Sequence, residues 1–116
     1  MAAITKEKRY EVRNAKVFLS LVVGEGQFGR SDVFVGAQKV IRTSGSFDEL
    51  LLGEGQDLIG KDVVIRTLAV DVNAQSNRMH LTYQITGGPS SLEFESKGEV
   101  TNQGGTLTFK TTITLF

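Results

Sequence analysis

The sequence predicts an all-β domain: an antiparallel two-sheet β-sandwich of about seven or eight strands with residues 1–116 as one domain, or alternatively a small closed β-barrel. Three observations carry this reading. Short runs rich in Val, Ile, Thr and Phe alternate apolar with polar side chains, most clearly over residues 79–86 and 106–116. Clusters of turn-forming residues separate these runs, and thirteen glycines against one proline mark where the chain bends. No segment supplies the long helical crossover that a parallel β-α-β unit requires.

The N-terminal residues 6–13 carry Lys6, Lys8, Arg9 and Arg13 around the alternation Tyr10-x-Val12, which suits an edge strand with charged flanks. Residues 15–23 place Val17, Leu19, Leu21 and Val23 on one face. Phe18 and Val22 make the other face partly apolar. Tyr10 and Val12 are out of phase with Val17, so a bulge or turn near Asn14 is expected to reset the register. Residues 33–35 and 39–42 read as short strands divided by Gly36-Ala37.

Residues 46–52 are ambiguous. Ser46-x-x-Glu49 has the spacing of a helix capping box and Gly53 could stop a helical turn, so at most one short helix is expected near 46–52; a strand is the other reading. Residues 63–72 form an apolar, β-branched run, followed by turn-forming residues 73–77 and the alternating run 79–86, which together read as a β-hairpin. After the strongest breaker, residues 87–91, a second hairpin is expected from residues 92–100 and 106–116. The final run is expected to be tied into a sheet interior or a contact between molecules.

Composition bounds the functions. At 116 residues, folding buries roughly 65% of the surface of the unfolded chain, enough for one core. Thirteen basic residues balance thirteen acidic ones, so no overall charge draws the chain to nucleic acid or an anionic membrane, and neither partner is expected. The absence of cysteine excludes disulfides and thiolate chemistry. Without an N-terminal signal-peptide pattern or an 18-residue apolar span, the sequence as written reads as cytoplasmic.

One tetrapeptide occurs twice, as Gly24-Glu25-Gly26-Gln27 and Gly53-Glu54-Gly55-Gln56. The first copy satisfies G-x-G-x-x-G but leads into strand-like residues where a dinucleotide fold needs a helix. Residues 21–29 resemble the glycine-rich loop of protein kinases, with Lys39 downstream but outside the Val-Ala-Ile-Lys context of that family. Neither the His-Arg-Asp nor the Asp-Phe-Gly motif of that family follows, and the chain is too short for the rest of it, so the resemblance implies no kinase activity. Both copies are expected to be glycine turns. If they met in space, Glu25, Gln27, Glu54 and Gln56 could form a rim that binds a small ligand or a carbohydrate.

Other candidates are weaker. His80 alternates with Thr82 and Gln84 on a polar strand face, where it is expected to be solvated. Asp57, Asp62, Asp71 and Asn73 do not make the ligand ladder of a calcium loop. No metal, cofactor or catalytic residue is expected; an enzyme using Glu25, Glu54 or His80 is the least favoured reading. The sequence reading is a non-catalytic structural or protein-interaction domain that self-associates or binds another protein.

Overall fold

The computed structural model describes residues 3–101 and 104–116. Nine strands and one helical turn follow in the order β1 (Ile4–Tyr10), β2 (Lys16–Val23), β3 (Phe28–Val35), β4 (Gln38–Ser44), β5 (Phe47–Glu54), α1 (Gly55–Leu58), β6 (Asp62–Val70), β7 (Arg78–Thr86), β8 (Leu92–Glu99) and β9 (Thr106–Leu115). They form a five-stranded sheet, β1-β9-β6-β3-β4, packed on a four-stranded sheet, β5-β2-β7-β8. The sandwich is open rather than a closed barrel, and all its pairings are antiparallel except that of β1 with β9, which is parallel.

Alternation decides what is buried. Val17, Leu19 and Leu21 of β2, Val63, Ile65, Thr67 and Ala69 of β6, Met79, Leu81, Tyr83 and Ile85 of β7, and Phe109, Thr111, Ile113 and Leu115 of β9 all point between the sheets. The period-two pattern therefore identified the inward face of each long strand. Inside, Tyr83 stacks on Phe94 of the neighbouring strand with ring centroids 4.9 Å apart, an arrangement worth about 0.5–1.5 kcal/mol beyond the area it buries. Burial pushes the Tyr83 phenol up to about 12, with Thr111 opposing the rise. The buried hydroxyls of Ser31 and Thr67 satisfy one another at 2.8 Å.

Several expectations need correction. Residues 47–54 are strand β5, and the helical turn falls later, on the second Gly-Glu-Gly-Gln copy. The two expected hairpins do not exist: β6 and β7 lie in different sheets, as do β8 and β9. The chain passes from one sheet to the other between β6 and β7 and again between β8 and β9, an outcome that strand alternation cannot distinguish from a hairpin because each strand buries the same face either way. Residues 102 and 103 of the second link lie outside the described residues. The hairpins are instead β3–β4 and β7–β8, so the breaker at 87–91 joins neighbouring strands. The acidic face of β8 consequently pairs with β7, Glu93 opposite Gln84 and Glu95 opposite Thr82, and not with the threonines of β9.

The breaker is held from the far end of β1. Tyr10 is buried, and its hydroxyl accepts a 2.8 Å bond from Gly88 N and donates a 2.6 Å bond to Ser90 O. Tyr10→Phe keeps the ring and orphans the buried Gly88 N–H, so a loss of about 2 kcal/mol is expected in urea unfolding. A change below a few tenths would show that the hydroxyl does not hold the loop.

The edges of both sheets are guarded. β1 turns Lys6 and Lys8 inward, with Lys8 Nζ 5.5 Å from the Phe94 ring centroid, and β4 is interrupted by a register shift opposite Val33/Phe34. β5 shifts register against β2 twice and holds Glu49 at a φ of 51°. There the Ser20 hydroxyl accepts from Glu49 N at 3.0 Å and donates to Asp48 Oδ1 at 2.8 Å. β8 presents Glu93, Glu95, Lys97 and Glu99. Inward charge, bulges and edge charge are the devices by which sheets avoid adding strands from other chains.

Candidate interaction site

The two glycine loops lie apart. Glu54 pairs with Lys16 at the start of β2, whereas Gly24 follows Val23 at its end. A strand of that length separates them by about 25 Å, so the four candidate residues share no rim. Glu25 is exposed at the tip of its turn, Gln56 is exposed on α1, and Glu54 is half-buried.

Gln27 has a different occupation. It is only 8% exposed, and its Nε2 donates to Ser76 O (2.9 Å) and Arg78 O (3.1 Å) while its Oε1 accepts from Val72 N (2.8 Å) and Asn73 N (3.0 Å). These four bonds use the whole capacity of a carboxamide, leaving none for a ligand. Asn73 completes the clasp by donating from Nδ2 to Glu25 O at 2.8 Å. Glu25 and Gly26 both have positive φ, and Gln27 N returns to Gly24 O at 3.2 Å, which makes the first copy a tight turn.

The acidic candidates are also dispersed. Asp62 and Asp71 stand at opposite ends of β6, Asp57 is exposed on α1, and no group of three potential metal ligands occurs among the described residues. His80, on the outer face of β7, hydrogen-bonds through Nε2 to Glu95 Oε2. That bond, foremost, and Lys97, with Nζ 3.7 Å from Glu95 Oε1, hold the Glu95 carboxyl below its ordinary range.

What the fold does assemble is two broad outer faces. On the five-stranded sheet, Phe28 of β3 and Leu68 of β6 are 44% and 45% exposed. Phe28 pairs with Val70, placing Leu68 on the adjoining diagonal, and exposed Val72 continues the patch beyond the strand. Around it the outward positions carry Arg9, Arg30, Lys39, Arg42, Arg66 and Lys110 against Glu7, Asp32 and Asp62. Asp32 is enclosed by this charge: Arg42 Nε lies 2.7 Å and Lys39 Nζ 3.7 Å from its Oδ1.

The Arg42 hydrogen bond is the main cause of an Asp32 pKa below the ordinary range. Because the folded-state value is depressed, the pair stabilises the fold above the unfolded Asp value of about 3.9 and ceases to do so as pH falls through the folded one. Asp32→Asn is therefore expected to flatten the decline in melting temperature between about pH 5 and pH 2. An unchanged slope would contradict the linkage.

The outer face of the four-stranded sheet is the counterpart. Val22 of β2 and Leu51 of β5 are 54% and 47% exposed, with half-buried Phe18 directly opposite Leu51. Its outward charges are Asp48, Glu54, Glu93, Glu95 and Glu99 against Lys16, Arg78 and Lys97. Where β5 bulges away from β2, an open groove of about 290 Å³ is lined by Ser20, Val22, Ser46, Phe47, Asp48, Thr82, Gln84 and Glu93.

Compared with known proteins, the chain matches no family model, and no curated protein or solved structure is significantly similar to it. The class defined by the fold is an open, nine-stranded, all-β sandwich with one helical turn. Among the described residues, no helix is long and apolar enough to cross a membrane. The sequence already carried a signal for the outer faces, because Phe18 and Val22 break the polar side of β2 and Val64, Leu68 and Val70 that of β6.

Proposed function

We propose that this chain is a non-catalytic structural domain that works by protein–protein interaction, and principally by association with copies of itself. The observation that supports it best is the presence of exposed large apolar side chains on the outward side of both sheets, Phe28 and Leu68 on one and Val22 and Leu51 on the other. An outward strand position is ordinarily polar, and apolar side chains there, flanked by arginine on the five-stranded sheet, have the composition of a contact surface. The tandem of outer patches fits a subunit that meets a neighbour on each side.

The double variant Phe28→Ser/Leu68→Ser tests this reading. Both side chains are already substantially in water, so the melting temperature should move little while self-association weakens at least tenfold in sedimentation velocity. A variant that associates as the wild-type chain does would remove the patch from the account.

A further inference from the structure

We infer that copies of this chain stack face to back, the outer face of the five-stranded sheet of one copy seating on the outer face of the four-stranded sheet of the next. The inference rests on the self-association proposed above and specifies its geometry.

Charge selects the occupant. The apolar patch of Phe28 and Leu68 is bordered by Arg30, which pairs with Leu68, and by Arg66, while the outer face that carries Val22 and Leu51 carries Glu93 and Glu95 on β8, across β7 from Val22. Seating one on the other buries apolar against apolar and sets cations against carboxylates at the rim. The two symmetric alternatives, like face on like face, would instead bring arginines against arginines or glutamates against glutamates, an arrangement that costs several kcal/mol at an interface. Edge-to-edge extension is opposed by the inward lysines of β1 and the bulges of β4 and β5.

Size is compatible as well. The molecule measures 45 × 23 × 20 Å, and a face of its two longer dimensions can supply the roughly 800 Å² per partner that a specific interface uses. Because the contact joins two different surfaces, each added copy leaves one face of each kind free. Such a heterologous contact continues into a filament or closes into a ring.

Two charge-reversed variants distinguish these geometries by sedimentation velocity. Arg30→Glu/Arg66→Glu makes both outer faces acidic, and Glu93→Lys/Glu95→Lys makes both basic. Face-to-back stacking predicts that each variant alone self-associates at least tenfold more weakly than wild type. It also predicts that an equimolar mixture recovers association to within about threefold, since each face then finds an opposite partner. If Arg66→Glu opposite Asp32 prevents folding, Arg30→Glu/Lys110→Glu takes its place, with native circular dichroism required of every variant.

Wild-type-like association of either variant alone would show that one face pairs with its own kind, overturning the face-to-back geometry while leaving self-association intact. Failure of the mixture to recover would overturn it equally. A wild-type chain that stays monomeric throughout would instead remove the underlying proposal.

Discussion

Gly55→Ala is expected to destabilise the chain by about 4 kcal/mol or more, enough to leave much of it unfolded at 37 °C given the total of about 5–15 kcal/mol that holds a domain of ordinary stability. Gly55 opens α1 and is buried where the strand β5 ends against the segment joining β1 to β2. A Cβ at this position would stand 1.8 Å from the Arg13 carbonyl oxygen and 3.1 Å from that of Ala15. Both obstacles are backbone, so no rotamer change relieves them. Moving the backbone would break the 2.8 Å bond from Gly55 N to Ala15 O. Gln56→Ala, one residue on at an exposed site, should change stability by less than about 0.5 kcal/mol. Thermal unfolding of the two variants side by side checks the argument, and a Gly55→Ala protein that melts with the wild type would show that the close approach is not a real constraint.

Gln27→Ala is expected to cost about 3 kcal/mol. The carboxamide is the partner of four backbone groups in residues 72–78, and alanine leaves those groups to find water at a site that is largely closed. Gln27→Glu makes the direction of the effect visible. Its second carboxylate oxygen would face the carbonyls of Ser76 and Arg78, so the folded state would favour the protonated acid and raise the pKa of Glu at this position. A raised folded-state value means that stability is retained below the ordinary Glu range of about 4.3 and lost as pH rises through the folded one. Urea unfolding should therefore find Gln27→Glu closer to wild type at pH 4 than at pH 7. An equal deficit at both would contradict the assigned hydrogen bonds.

The inward face of the sandwich was legible in the sequence because burial in a strand depends only on parity: Met79, Leu81, Tyr83 and Ile85 alternate, and all are buried. Strand partnership was not legible. A turn-forming stretch such as 73–77 has the same asparagine and serine chemistry whether the chain reverses beside its strand or arches to the opposite sheet. Here Asn73 Oδ1 accepts from Gln75 N and Ser76 Oγ from Arg78 N within the arch. The parallel pairing of Ile4–Tyr10 with the last strand joins segments from the two ends of the chain, which no local pattern signals.

The duplicated Gly-Glu-Gly-Gln shows the same limit from another side. Identical residues serve as a tight turn in one copy and as a strand-to-helix junction in the other, because the second is shaped by the backbone of Arg13 and Ala15 packed against it. Its two glutamines differ accordingly, Gln27 being enclosed and Gln56 exposed. Formal neutrality was similarly uninformative about surfaces. Equal numbers of acids and bases conceal their division between two faces, and that division depends on which strands share a sheet.

Self-association through the outer faces is most directly tested by sedimentation equilibrium of the wild-type chain over a hundredfold range of concentration, at low and at high salt. The average mass is expected to climb above the 12.6 kDa of a single chain as concentration rises, and to climb less steeply at high salt, where charges across the contact are screened. A mass of 12.6 kDa at every concentration and both salt levels would contradict it.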